Sequence, residues 1–200
     1  MKKVLFALML IACQLTGAVA QTSQQVLDKC AAVVSHKDGV QANFTMTSAQ
    51  YGNASGKIAV KGKKFSATTN QASMWFDGKT LWTYMAQNNE VNVTTPNENQ
   101  LQTLNPYNFI NLYKKGFKHT MTKSAKTFNV HLTATDERRK LKEMFITVDQ
   151  KTYHPTEVKV RQGQKWTTFT ISNLKTVKLD DATFRFNTKD YPTAEVIDLR

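Results

Sequence analysis

A chain of 200 residues with 27 Lys+Arg against 15 Asp+Glu carries a formal charge of +12, and its length suits one large domain or two small ones around a real core. The basic side chains are scattered along the chain, a distribution that suits attraction to anionic membrane surfaces or acidic partners and equally a plain solvated surface. Nucleic acid is disfavoured, because no binding module is recognisable and an export signal opens the chain. One of the two cysteines lies in that signal, so an intramolecular disulfide is excluded once it is removed.

Lys2-Lys3 forms a positive n-region, Val4–Ile11 an apolar h-region, and Ala18-Val19-Ala20 a small-x-small cleavage site ahead of Gln21. Residues 1–20 are therefore expected to be a signal peptide, too short to span a bilayer well, with residues 21–200 as one exported, soluble domain. Leu10-Ile11-Ala12-Cys13 resembles the lipobox of bacterial lipoproteins, which would leave Cys13 as a lipidated N-terminus. The h-region ahead of Cys13 is short for that route, so cleavage after Ala20 is the expectation. Loss of Lys2 and Lys3 takes the charge from +12 to +10.

Thr22 or Ser23 can cap a helix running to about His36, with Val26, Leu27, Cys30, Ala31, Val33 and Val34 spaced as an apolar stripe. Cys30 lies on that stripe and is expected to be buried. Gln41–Gln50 alternates Ala42, Phe44 and Met46 with polar residues, as a half-buried strand does. Tyr51–Gly56 reads as a turn-rich loop, Lys57–Lys61 as a strand bearing Ile58 and Val60, and Phe65–Thr69 as the approach to a hairpin.

The hairpin is the strongest local signal. Asp77-Gly78 between two aromatic and β-branched runs predicts a two-residue type I′ turn. Phe76 then faces Lys79, and a second turn at Asn88-Asn89 sets Tyr84 opposite Val93. The period of two places Trp75, Trp82, Tyr84, Val91 and Val93 on one face, and Met74, Phe76, Leu81 and Met85 on the other. Past Pro96 the period changes. Glu98–Leu104 suggests a short helical turn, and Asn105-Pro106 an N-cap with proline at the first helical position. That second helix presents Phe109, Leu112 and Tyr113 on one face and ends at Gly116.

Strands resume from Phe117, with Phe128–Thr135, Met144–Val148, Glu157–Val160, Trp166–Ile171 and Val177–Phe186. An α+β fold is expected, its large antiparallel sheet of about ten strands curling into a barrel or half-barrel. Catalytic signals are thin. His36, His119, His131 and His154 lack metal-ligand spacing, and there is no nucleophile elbow or phosphate-binding glycine loop. Neither an enzyme nor a cofactor or metal site is expected.

The signal peptide and first helix, Val40-Gln41-Ala42-Asn43-Phe44-Thr45, Gly56-Lys57-Ile58-Ala59-Val60-Lys61 and Phe76-Asp77-Gly78-Lys79-Thr80-Leu81-Trp82-Thr83-Tyr84 occur in the order seen in one family. Together with Asn105-Pro106 and Leu179–Phe186 they make the chain resemble the LolA family, periplasmic carriers that move lipoproteins from the inner to the outer membrane of Gram-negative bacteria. The resemblance implies an unclosed half β-barrel whose concave face is lidded by the N-terminal and mid-chain helices over a cavity for acyl chains. It implies acylated lipoproteins as cargo, an inner-membrane ABC exporter and an outer-membrane acceptor as partners, a monomeric state and a periplasmic location. Transient contact with a membrane surface is compatible with the charge. Phe44, Ile58, Phe65, Trp75, Trp82, Tyr84, Val91 and Val93 are the expected lipid-binding surface, with Phe109 and Leu112 from the lid. An exported lipid-binding sensor or adaptor on the same half-barrel is the alternative. One departure stands out: where the family carries an arginine that helps hold the lid closed, this chain has Gly62-Lys63-Lys64-Phe65, and lysine is a poor bidentate substitute.

Overall fold

The structure, a computed structural model, describes residues 21–97, 100–101 and 112–200. The signal segment with its Ala20 and Cys13 processing sites, Phe109 and the Asn105-Pro106 helix start lie outside the described residues. One α-helix, α1 (Ser23–Val34), precedes a twelve-stranded sheet among the described residues. The N-terminal half of the sheet comprises β1 (Val40–Ser48), β2 (Gly52–Lys61), β3 (Lys64–Thr69), β4 (Ala72–Phe76), β5 (Leu81–Met85) and β6 (Glu90–Thr94). The C-terminal half comprises β7 (Phe117–Lys123), β8 (Thr127–Ala134), β9 (Leu141–Asp149), β10 (Pro155–Gln162) and β11 (Lys165–Thr176), and the chain closes on β12 (Glu195–Asp198).

The strand order is β12-β6-β5-β4-β3-β2-β1-β11-β10-β9-β8-β7. β12 and β7 are the two edges and do not pair, so the curved sheet stays open, as a half-barrel does. All neighbours are antiparallel except β12, which pairs in parallel with β6. The two halves join through β1 and β11, with Phe44 opposite Ile171.

Both predicted turns are two residues longer than expected. Phe76 pairs with Leu81, Trp75 with Trp82, and Tyr84 with Val91. A type I′ turn needs φ > 0 at both central residues, whereas in the first turn Gly78 alone is positive, at 102°. The Asp77 carboxylate wins the competition. It accepts the amides of Lys79 and Thr80 at 3.0 and 2.9 Å and closes a four-residue loop. A register change of two residues leaves every side chain on its predicted face.

Two local expectations fail. Residues 52–56 are strand, since β2 pairs with β1 from Gly52 to Val60. Gly56 is needed there because a Cβ at that position would stand 2.0 Å from the Thr68 carbonyl oxygen. Gly56→Ala should therefore cost about 1–3 kcal/mol in urea unfolding, since a backbone atom cannot rotate aside. Residues 177–186 are not a strand: a short 3₁₀ turn forms at Ala182–Phe184, and the following segment crosses to the far edge to make β12.

Candidate functional site

The strand registers divide the sheet into two faces. α1 covers one of them. Thr22 caps the helix, accepting the Gln25 amide at 3.2 Å, while the Gln25 side chain accepts the Thr22 amide at 3.0 Å. Val26, Leu27, Cys30 and Val34 are buried beneath it. Twelve residues are too few for a stable isolated helix in water, so this stripe, at roughly 1.5–3 kcal/mol per buried side chain, is what holds α1 in place. It shares one hydrophobic core with sheet residues of both halves, among them Ile58, Phe65, Phe76, Val130, Leu132 and Ile146. The buried surface continues into Phe44, Met74, Leu112, Met121 and Phe169, which are half-buried around its margin.

Side-chain hydrogen bonds fasten α1 to its surroundings. The Tyr113 hydroxyl donates to the Asp28 carboxylate, which also accepts from Gln24 at 3.2 Å. Lys29 donates to the Tyr153 hydroxyl at 3.1 Å and lies 4.6 Å from its ring centroid. Tyr153 stacks on Phe128 and holds a left-handed backbone, φ 57°, in the turn between β9 and β10. Such a conformation is uncommon for a bulky residue, and here the side chain is held by Lys29, Phe128 and Gln21. At the start of the helix, Ser23 Oγ meets His119 Nδ1 at 2.7 Å.

The hydrogen bond from Tyr113, with a smaller contribution from Gln24, lowers the Asp28 pKa. Burial, followed by the Asp28 bond, raises that of Tyr113, so its hydroxyl keeps its proton. A depressed carboxylate contributes stability above its unfolded pKa of about 3.9, and that contribution is lost as the pH falls through the folded value. Protection of the α1 amides relative to their intrinsic exchange rate should fall on acidification below about pH 4, and Asp28→Asn should remove that step. Burial pushes the Cys30 thiol up to about 12. Cys30 should accordingly resist a thiol reagent in the native protein and react at once in denaturant, as buried thiols do.

The sequence placed one continuous lipid-binding surface along the concave side, and the registers split it. Phe44, Ile58 and Phe65 lie on the face under α1, and Leu112 packs against the same core. Trp75, Trp82, Tyr84, Val91 and Val93 lie on the opposite face. There the C-terminal segment crosses as a strap. Tyr191 meets Trp75 at 5.6 Å and Tyr84 at 4.5 Å between ring centroids, and Phe186 meets Trp75 at 5.6 Å. Val91 and Val93 are buried. The aromatic run of the hairpin is thus occupied by the protein's own tail, which corrects its expected place under the lid.

Lys64, from the Gly62–Phe65 stretch, and the adjoining Lys61 also serve the strap. Lys64 pairs with Asp181 at 2.7 Å, and Lys61 donates to the Leu179 carbonyl. Asp28, Lys29, Tyr113 and Tyr153 fasten the helix. Nothing local marks Asp28 or Tyr153 for this, because their partners lie 85 and 124 residues away. A groove of about 530 Å³ at the end of β6 is lined by Leu81, Thr94, Pro96 and Leu199, among others. Among the described residues no group of three His, Cys, Asp or Glu is arranged to hold a metal.

Comparison with known proteins follows the same lines. The family model described as outer membrane lipoprotein carrier protein LolA matches residues 15–164. No curated protein matches. Among solved structures, an uncharacterized conserved protein from Thermus thermophilus superposes with a TM-score of 0.60 at 11% identity, over 89% of this chain and 99% of that one. A LolA superfamily protein from Nitrosomonas europaea gives 0.46 at 12% identity, over 84% and 99%. A putative outer membrane lipoprotein-sorting protein domain from Vibrio parahaemolyticus gives 0.46 at 12%, over 84% and 97%.

Proposed function

The chain belongs to the outer membrane lipoprotein carrier protein LolA family, and from that footing we propose that it is an exported carrier, sheltering the acyl chains of lipoproteins between the inner and outer membranes of a Gram-negative cell. The observation that carries this reading is the apolar face under α1, covered by a helix that no strand ladder ties to the sheet. Burying one CH₂ is worth roughly 0.8 kcal/mol, so a ~16-carbon chain needs about 12 kcal/mol of replacement apolar surface to leave a bilayer. The sheet supplies such a surface. Phe44, Met74 and Phe169 already reach past the edge of the buried core, and α1 is held by its apolar stripe and by side-chain hydrogen bonds, none of which belongs to a strand ladder. Phe44, Ile58 and Phe65 are the proposed floor of the acyl site, with Phe109 and Leu112 on its cover. Cargo would arrive from an inner-membrane ABC exporter and leave to an outer-membrane acceptor.

The test is native mass spectrometry of the mature chain purified from a periplasm that expresses it. A soluble one-to-one complex with an acylated polypeptide is the expected result. Recovery of bare protein alone, even when a lipoprotein is co-expressed, would defeat the proposal. Acyl binding without onward transfer to acceptor membranes would instead favour a sensor or adaptor.

A further inference from the structure

Three neighbouring turns and the entry to β7, at one end of the sheet, gather most of the protein's net charge. Phe117 is opposite Ala134, Leu141 opposite Gln162, Gln162 opposite Lys165, and Ser48 opposite both Thr167 and Gly52. The entry to β7 and the β8–β9, β10–β11 and β1–β2 turns therefore share one rim. Residues 114–118, 136–143 and 161–166 hold nine cations and three carboxylates, a net +6 of the +10 carried by residues 21–200.

Two of those carboxylates are already engaged. Asp136 holds Arg138 at 3.0 Å, and Glu143 bridges Arg161 at 2.7 Å and His131 at 2.6 Å. Among the described residues, none of Lys115, Lys118, Arg139, Lys140, Lys142 and Lys165 meets a carboxylate; Arg139 lies over the Phe117 ring. The same rim exposes two large aromatic residues, Tyr51 at 61% and Trp166 at 38%. Trp166 is braced by Phe145, with centroids 5.8 Å apart, and by the Arg161 guanidinium.

We propose that this rim docks on the anionic phospholipid headgroups of a bilayer. Long lysine side chains spread along a row of turns suit a plane of diffuse negative charge, whereas an acidic peptide would call for paired, forked contacts in a groove. Tyrosine and tryptophan are the residues favoured at the depth of the headgroups. The inference does not depend on acyl binding, which uses the face under α1.

Co-sedimentation of the mature chain with vesicles tests it, at about 0.1 M salt, where the screening length is about 10 Å. Mixed phosphatidylglycerol–phosphatidylcholine vesicles should take up the protein, and pure phosphatidylcholine vesicles should not. Each charge removed near the surface should weaken partitioning about fivefold, so the double variant Lys140→Gln/Lys142→Gln should lose about 25-fold. Trp166→Ala should weaken it further, and Lys63→Gln/Lys79→Gln at the opposite end of the sheet should change nothing. Equal uptake by both vesicle types, no uptake by the anionic ones, or an equal loss in the two double variants would overturn the proposal. Binding to soluble polyglutamate as tight as to the vesicles would overturn it in favour of an acidic protein partner.

Discussion

Trp75→Ala should lower the unfolding free energy by about 3 kcal/mol while leaving acyl loading intact. The ring meets Phe186 and Tyr191, each at 5.6 Å, and stands opposite Trp82 across the ladder. Aromatic contacts of this kind contribute about 0.5–1.5 kcal/mol each beyond the area they bury. Trp75 is only half-buried, which places the cost at the lower end of the range for deleting a large aromatic side chain. Urea unfolding gives the stability change, and binding of a fluorescent acylated peptide gives the loading. Loss of loading with stability retained would return the hairpin's aromatic residues to the ligand surface. That result would contradict the division of the sheet into a helix face and a strap face.

Phe44→Asp should differ from Trp75→Ala in loading. Phe44 is half-buried on the face under α1, beside the β1–β11 seam where it pairs with Ile171. A carboxylate there keeps part of its hydration while the protein is empty but loses the packing of Phe44 on the core, so the thermal midpoint should fall. Loading is compared at a temperature where the variant is folded. An acyl chain laid over it would strip that hydration, and a buried charge without a partner costs several kcal/mol. Affinity for the acylated peptide should fall about 100-fold, equivalent to about 2.7 kcal/mol. Phe44→Leu should restore most of the affinity, because the site asks for apolar surface rather than an aromatic ring. Unchanged loading in Phe44→Asp would remove this face from consideration.

The two substitutions differ in outcome because of a distinction that lay partly within reach of the sequence. Alternation along β4, β5 and β6 correctly grouped Trp75 and Trp82 with Tyr84, Val91 and Val93. The grouping survived even though both turns are four residues long, because a shift of two restores the same facing. Hidden from that pattern was the neighbour of each face. The strap has no period: Phe184, Phe186 and Tyr191 sit at irregular spacing, and alternation among Val177, Leu179, Phe184 and Phe186 imitates a strand. The fastening of α1 was hidden for a related reason. Asp28 on an exposed helix flank and Tyr153 after a turn look like ordinary surface residues until chain folding brings Tyr113 and Lys29 to them.

By itself the sequence determined the capped helix, the burial of Cys30, a large curled and mainly antiparallel sheet and the face on which each hairpin residue lies. These follow from local periods of 3.6 and 2 and from capping and turn chemistry within a few residues. Only the tertiary structure decided which face the helix covers, which face the tail fills, and which lysines hold the tail rather than the lid. Those outcomes depend on packing between segments a hundred or more residues apart, and no local spacing encodes the choice between two apolar faces of one sheet.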